Sequence, residues 1–492
     1  MQDKNKIEFG TFSRYFHRSN PLCMSEKNPF DDYRDVTDLV AHYEETERNN
    51  AQLFLDEASF EQLIDYYELK KKSEKASKIV SIAIEQYPYS SYFLVKKAQF
   101  FFDVKQFDQA LEVLEKAEVF DPKDMQIHLL RADIYVWMED FKRAVATVEY
   151  AMTIGEKDDM PDLYLELADV YEEWEKYEQV FDCLKKTLEF DPNSEEALNR
   201  MWFCVEFIEK YQESVDFHKM LIDREPYNHR AWFNLGHAYS GLGDYENAVD
   251  AFDFVLAINE KSEYAYKDCG DVLFRMENYR KAIEYYKSSF EVARPTKEIL
   301  YNIGECYECL EEYAMARNYY RKAVNMDPNF HPAFFRIGLC YHAEQKWSNA
   351  LTSLERACKL KDDDPDYIEV LADSYYELGN LDSAIESFAK AIDIRPESRE
   401  AWLALARTLL EAGMHRDSFT VLDDACEQFD DPADIFYVKS AYYFLIGNKK
   451  ESLLNFEKAL LLDYKMHPIV FEIAPNMEKE LAVQQVVNQY RV

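Results

Sequence analysis

Apolar and small residues recur along this chain with the spacing of helices that bury one face. The first face within residues 229–260 consists of Trp232, Leu235, Gly236 and Tyr239. Their spacings of three, one and three residues predict a helix with a single apolar side. After a break at residues 241–244, the second face consists of Ala248, Phe252 and Val255. The pattern therefore predicts two helices that turn their apolar faces toward each other.

The same register extends over most of the chain. Twelve repeats begin at residues 57, 91, 125, 161, 195, 229, 263, 297, 331, 365, 399 and 433. Each repeat is 34 residues long except for a 36-residue step from 125 to 161. Position 8 of the repeat is glycine at Gly236, Gly270, Gly304 and Gly338. Because a mid-helix glycine costs roughly 1 kcal/mol relative to alanine, we expect a close contact with the small Ala248 across the hairpin.

The repeat resembles the tetratricopeptide repeat. The family pattern W-x-x-L-G-x-x-Y followed by A-x-x-x-F is matched by Trp232, Leu235, Gly236, Tyr239, Ala248 and Phe252. The resemblance implies an all-α fold, a right-handed superhelical α-solenoid of about twelve helical hairpins. Asn476–Tyr490 is expected to form a C-terminal capping helix that closes it.

Changes in composition and register divide the chain into four segments. We expect a basic and aromatic, flexible N-terminal segment at residues 1–33 and a capping helix at 34–56. The repeats follow at 57–466, and a partial repeat with the capping helix occupies 467–492. A change of packing is expected near 195–228, where Trp202 replaces the small residue at the close contact between the two helices and Ser214 faces it. Trp202 is either a repacked core residue or an exposed anchor for a partner.

Charge limits the classes of partner. The net charge of −37 disfavours binding to nucleic acid and to anionic membranes, so we expect neutral or basic protein segments as partners. No apolar run has the length of a membrane helix, and the N-terminus lacks the apolar core of a signal peptide. Nine scattered cysteines are typical of a reducing compartment. Together these features predict a cytoplasmic protein that does not insert into membranes.

Catalytic motifs are sparse. The chain has no P-loop, no G-x-G-x-x-G, no G-x-S-x-G and no H-E-x-x-H, and the flanks are too short for an ordinary catalytic domain. Cys306 and Cys309 form a single C-x-x-C within a predicted helix, which favours packing over metal binding or redox chemistry. We therefore expect a non-enzymatic scaffold or adaptor without cofactor or metal, in preference to an RNA-binding repeat or an enzyme.

The resemblance implies that ligands bind on a concave wall formed by positions 2, 5, 6, 9 and 12 of the first helices. The candidate peptide-binding residues are Phe203, Phe233, Asn234, His237, Tyr264, Lys267, Asp271, Tyr301, Asn302, Glu305, Phe335 and Arg336. This wall is acidic and aromatic, which favours an extended, neutral-to-basic or aromatic ligand. An aromatic content of 15% over the whole chain is the alternative explanation for its aromatic residues.

Two family features are partly present. Asn234 and Asn302 occupy position 6, where an asparagine in peptide-binding members bonds the ligand backbone. The alternative function is a regulatory or chaperone-like subunit that binds a partner's C-terminal carboxylate. Lys267, Asn302 and Arg336 match three of the five residues of that clamp, whereas Asp271 and Pro332 depart from it. Asp271 would repel a carboxylate, so a structural ion pair is the competing interpretation.

The N-terminal segment has the opposite sign of charge. Residues 1–30 carry a net charge of +2, since five basic residues outnumber three acidic ones. We expect residues 8–22, which are basic and aromatic, to dock in the acidic groove and compete with an outside partner. A free tail that recruits another protein is the alternative.

Overall fold

The computed structural model describes residues 33–49 and 52–490. The chain forms two compact units, one that ends at Pro226 and one that begins at Tyr227. The expected flexibility of the N-terminal segment and the docking of residues 8–22 fall outside the described residues. All regular structure in the described ranges is helical, without strands.

The first compact unit contains one leading helix and five helical hairpins. Its helices are α1 Tyr33–Arg48, α2 Glu57–Leu69, α3 Ser73–Gln86, α4 Ser91–Asp103, α5 Phe107–Phe120, α6 Met125–Trp137, α7 Phe141–Ile154, α8 Met160–Glu173, α9 Tyr177–Phe190, α10 Glu195–Ile208 and α11 Tyr211–Arg224. A short 3₁₀ turn at Lys157–Asp159 precedes α8. This turn accounts for the 36-residue step in the sequence.

The second compact unit contains seven hairpins and a short C-terminal group. Its helices are α12 His229–Leu242, α13 Tyr245–Ile258, α14 Glu263–Arg275, α15 Tyr279–Ser288, α16 Lys297–Cys309, α17 Tyr313–Met326, α18 His331–Ala343, α19 Trp347–Leu360, α20 Pro365–Glu377, α21 Leu381–Ile394, α22 Arg399–Glu411, α23 His415–Gln428, α24 Ala433–Leu445, α25 Lys449–Leu462, α26 Pro468–Ile473 and α27 Leu481–Tyr490. We number the hairpins 1 to 12 from α2–α3 to α24–α25.

The predicted register of the hairpins is confirmed. Each second helix begins at position 17, and position 15 of every hairpin lies in the left-handed backbone region. The left-handed residues are Lys71, Lys105, Glu139, Glu175, Glu209, Gly243, Glu277, Glu311, Gln345, Gly379, Gly413 and Gly447. One left-handed residue ends the first helix and reverses the chain direction within a short turn.

The glycines at position 8 have a different role from the one expected. A Cβ atom on Gly236 would lie 2.7 Å from Cε1 of Phe252, and Gly270 and Gly304 face tyrosine rings at 2.5 Å. The nearest neighbours are therefore the large residues at position 24, not Ala248 at position 20. Positions 20 and 24 lie one turn apart on the same face of the second helix, so both point toward the first helix. Glycine makes room for a ring.

The fifth hairpin departs from this arrangement. Its two helices make fewer close backbone contacts than those of any other hairpin. Trp202 at position 8 is half-buried, and its ring lies edge-on to Phe203 at 5.1 Å. Ser214 is buried. His218 is fully buried at position 24, where the hairpins with glycine at position 8 have a large residue. The imidazole Nδ1 of His218 lies 2.8 Å from the backbone oxygen of Ser214, and burial lowers its pKa to about 4.

The C-terminal helix is shorter than expected. Pro475–Lys479 forms a 3₁₀ turn, and α27 begins only at Leu481, where a helix from Asn476 was predicted. Val470, Met477 and Val483 are buried against the last hairpin. Proline at the start of the turn and the need to bury Met477 favour the tighter geometry.

Candidate functional site

Polar side chains join successive first helices at a fixed spacing. Position 6 of one hairpin reaches position 9, and often position 12, of the hairpin before it. In the first compact unit, the Nζ atom of Lys96 lies 3.5 Å from Asp65 and 2.7 Å from Glu68. We call these contacts the 6–9 pairs. Because they cross between hairpins, they fix one first helix against the next.

Arg200 forms a second pair in the same compact unit. Its guanidinium lies 2.7 Å from Asp169 and 2.5 Å from Glu172, which occupy positions 9 and 12 of hairpin 4. Planar guanidinium and carboxylate groups form strong charge-assisted hydrogen bonds. Glu196, on the same helix as Arg200, adds a third carboxylate at 3.3 Å.

Three consecutive 6–9 pairs occur in the second compact unit, between hairpins 6 and 9. The contacts are His237 Nε2 to Asp268 Oδ2 at 3.1 Å, Asn302 Nδ2 to Asp271 Oδ1 at 3.2 Å, and Arg336 to Glu305 at 2.9 Å. Arg336 also bonds Glu308 at 3.2 Å and donates to the hydroxyl of Tyr301 at 3.2 Å. These contacts involve six of the predicted site residues, which are His237, Asp271, Tyr301, Asn302, Glu305 and Arg336.

Tyrosines of the second helices support these carboxylates. The hydroxyl of Tyr286 donates to Asp271 at 2.5 Å, and that of Tyr320 donates to Glu308 at 2.6 Å. Burial raises the pKa of Asp271 and of Glu305, although Tyr286 and Arg336 respectively act in the opposite direction. The ring that fills the space beside the glycine thus also positions the acidic group of a 6–9 pair.

The predicted clamp is occupied by the protein's own carboxylates. Lys267 lies 3.6 Å from Asp268 and 3.5 Å from Asp271, in addition to the contacts of Asn302 and Arg336 already described. A ligand carboxylate would therefore have to displace these partners. The competing interpretation, a structural ion pair at Asp271, agrees with these distances.

The predicted aromatic residues differ in accessibility. Tyr264 is 72% exposed. Phe335 is half-buried and stacks on Tyr367 at 4.2 Å, and Tyr301 is half-buried against Tyr320 at 5.4 Å. Phe233 is half-buried against Phe252 at 5.7 Å. Tyr264 is thus the open aromatic side chain of the predicted set.

Two further predicted residues lie apart from this cluster. Phe203 belongs to the first compact unit, where it contacts Trp202 and Phe207. Asn234 is only 2% exposed, so the expected bond from its amide to a ligand backbone has no open surface to form on.

Sequence reasoning missed Arg407 and the special position of Asp373. Arg407 is exposed, and its guanidinium lies 4.2 Å from the centre of the Tyr376 ring. Arg407 and Asp373 both occupy position 9, but position 6 of the following hairpin is Val438 or Ala404, which cannot pair with them. The missing partner at position 6 was visible in the sequence by comparison of successive repeats.

Other chemistry is limited in the described part of the chain. Its eight cysteines are all free, and burial raises the pKa of Cys306 to about 12, whereas Cys309 is exposed. Residues 33–49 and 52–490 contain no group of three or more side chains arranged to hold a metal ion. Within those ranges no helix is both long and apolar enough to cross a bilayer.

Family profiles match the sequence in the region of the hairpins. The profile described as tetratricopeptide repeat matches residues 227–294 and 265–329. The chain is a tetratricopeptide repeat protein. A second profile, described as anaphase-promoting complex, cyclosome, subunit 3, matches residues 343–425 of this repeat protein.

A curated relative and several solved structures resemble parts of this tetratricopeptide repeat protein. The Hsp70-Hsp90 organising protein of Plasmodium falciparum (isolate 3D7) is 30% identical over 102 residues, which are 20% of this chain. The match spans only 18% of the length of that relative.

Among solved structures, YrrB, described as a TPR protein with an unusual peptide-binding site, is 23% identical with a TM-score of 0.33 and covers 37% of this chain and 95% of its own. The Cut9-Hcn1 hetero-tetramer of the APC/C is 15% identical with a TM-score of 0.37, and the match covers 89% of this chain and 97% of that one.

Proposed function

We propose that this tetratricopeptide repeat protein is a non-enzymatic, cytoplasmic scaffold or adaptor that binds an extended segment of a partner protein. The segment is neutral to basic or aromatic and lies along positions 2, 5, 6, 9 and 12 of the first helices in the second compact unit. The repeat family is generally a protein-interaction fold, which supports the class of function.

The observation that carries the proposal is the exposure of Tyr264. A rigid helix holds 72% of this large side chain in solvent at position 2. Tyrosine is enriched among the residues that dominate protein interfaces, because it buries a large area with few rotatable bonds. The net charge of −37 favours a partner with positive charge.

The carboxylate clamp is the less favoured alternative. It draws support from the match to the Hsp70-Hsp90 organising protein, but that match covers a small part of the relative. Carboxylates of this chain already bond Lys267, Asn302 and Arg336. The cost of breaking those contacts would offset much of the binding free energy of a partner's C-terminal carboxylate. The docking of residues 8–22 stays a prediction.

Replacement of Tyr264 by alanine tests the proposal. Partners enriched from a host-cell extract on the immobilised full chain should be retained about tenfold less by Tyr264→Ala, the loss expected for an aromatic interface residue. Tyr227→Ala is the matched control, because Tyr227 is 85% exposed but lies in the turn before α12. Equal retention by all three proteins would reject the inner wall as the binding surface.

A further inference from the structure

The series of 6–9 pairs is interrupted after hairpin 9. The next junction carries Leu339 and Val370 at positions 9 and 6, and the one after it carries Asp373 and Ala404. Among the described residues, Asp373 has no hydrogen-bond or ion-pair partner. Four acidic equivalents in other hairpins, Asp65, Asp169, Asp271 and Glu305, are bonded to position 6 of the following hairpin. After Asp133, the acidic equivalent in hairpin 3, position 6 of the next hairpin is Glu166.

The surroundings of Asp373 resemble those that hold Arg336. Arg336 is held by Glu305 at position 9, Glu308 at position 12 and the hydroxyl at position 5. In hairpin 10 the same positions carry Asp373, Tyr376 and Glu369. Tyr376 and Glu369 already hold cations of this chain, since Arg407 lies 4.2 Å from the ring centre and Arg395 lies 2.7 Å from the carboxylate, so Asp373 is the group of the three without an ion-pair partner. The side chain that would supply the cation is reduced to the methyl group of Ala404.

The electrostatics also favour an incoming positive charge. Asp373 is half-buried, and burial raises its pKa above the ordinary range, with His342 and Arg407 acting in the opposite direction and Glu369 and Glu377 adding to the rise. A half-buried carboxylate without a hydrogen-bond partner is stabilised by a charged hydrogen-bond donor. Glu369 already bonds Arg395 at 2.7 Å, so Asp373 is the carboxylate that still lacks a donor.

We propose that an arginine side chain of an extended partner segment lies over Ala404 and pairs with Asp373, in the place of the absent position-6 residue. This inference rests on the proposed function and names the chemistry that the same wall recognises. Arginine fits because its planar guanidinium can bond the carboxylate with two parallel N–H groups. The preceding junction, with Leu339 and Val370, suits an apolar residue beside that arginine.

Selection of peptides on the full chain tests the inference. A random dodecapeptide display library is selected on the wild-type protein, and the affinities of the selected peptides are measured by calorimetry. We expect arginine to be enriched, and Asp373→Asn to weaken binding about tenfold or more, as for loss of a hydrogen bond to a charged group. Glu377→Gln removes a nearby exposed carboxylate and should change affinity less than about twofold.

A second variant places the cation on the protein itself. Ala404→Arg should pair with Asp373, leave the melting temperature unchanged or higher, and abolish binding of the arginine peptides. Selected peptides without arginine, or peptides that bind Asp373→Asn or Ala404→Arg as tightly as the wild type, overturn this inference and leave the proposed function standing. If the wild-type protein retains no peptide, both proposals fail.

Discussion

Gly304 and Tyr320 show how two residues of one hairpin depend on each other. A Cβ atom at Gly304 would lie 2.5 Å from Cε1 of Tyr320, and the ring is held in place because its hydroxyl bonds Glu308. We predict that Gly304→Ala lowers the free energy of unfolding of the second compact unit by roughly 1–3 kcal/mol, the range for overpacking. Urea unfolding measures this change.

The control for this prediction is Gly338→Ala. Its new Cβ would meet Cδ2 and Cγ of the buried Leu354 at 2.5 and 2.6 Å, but no hydrogen bond holds that side chain in place as one holds the Tyr320 ring. Alanine gains about 1 kcal/mol of helix propensity over glycine, which offsets much of the crowding. Equal losses in the two variants would contradict the role given to the tyrosine bond.

Single residues were harder to predict than the register. Gly236 was correctly placed at a close contact, but the sequence cannot tell which of two residues one turn apart comes nearest. Asn302 and Arg336 were expected on an open wall because a single repeat shows no partner for them. Their partners lie 31 residues earlier in the chain, in the preceding hairpin. The pairing follows from packing between hairpins, which sequence periodicity alone does not specify.

Among the structural elements, the turn within each hairpin leads to a direct prediction about stability. Position 15 is left-handed in all twelve hairpins but is glycine in only four of them. The left-handed conformation costs a residue with a Cβ atom about 1–2 kcal/mol. Glycine avoids this cost, but it loses part of the gain because it has more conformational freedom in the unfolded chain. We therefore expect Glu277→Gly to stabilise the second compact unit by about 0.5–1 kcal/mol in thermal unfolding.

The reverse change provides the control. Gly243 has a φ of 76°, and a Cβ atom added to it would have no neighbouring atom within 4 Å, so steric contact does not complicate its replacement. Gly243→Ala should destabilise by about 1 kcal/mol through the backbone alone. If Glu277→Gly also destabilises, a contact of the glutamate side chain outweighs the backbone strain.

The helices themselves were largely predictable. All twelve hairpins begin within one residue of the repeat boundaries, because the 34-residue period combines apolar spacing, turn residues and prolines that agree with one another. The predicted start of the C-terminal helix was wrong by several residues, because Pro475 begins a 3₁₀ turn outside the repeat pattern. Helix bounds were therefore predicted less accurately outside the repeat, where only the apolar spacing and a proline were available.

Over the whole molecule, the two compact units should open separately. Hairpins in a repeat protein are stabilised mainly by their neighbours, so a region with fewer internal contacts limits cooperativity. Such a region occurs at the fifth hairpin, between α10 and α11. Peptide-resolved hydrogen exchange should give different opening free energies for residues 57–190 and 229–462. One uniform value across both ranges would reject this prediction.

Acid should destabilise the first compact unit through His218. The pKa of His218 falls to about 4 in the folded protein because the ring is buried, whereas an unfolded histidine titrates near 6.5. The stability that the neutral ring contributes is therefore complete above about pH 6.5 and is lost as the pH falls toward 4. Between pH 7 and pH 5 we expect a loss of roughly 2 kcal/mol, which His218→Phe should remove.

The 6–9 pairs make the order of the hairpins specific even though their backbones are alike. Hairpin 9 presents Arg336 to the two carboxylates of hairpin 8, whereas hairpin 8 presents Asn302 to Asp271 of hairpin 7. A hairpin moved to another place in the array would meet a neighbour of the wrong charge. Recombination between copies of the repeat, which preserves length and core, would thus be restrained by these polar contacts, and grafting a hairpin into another array requires that its preceding neighbour be transferred with it.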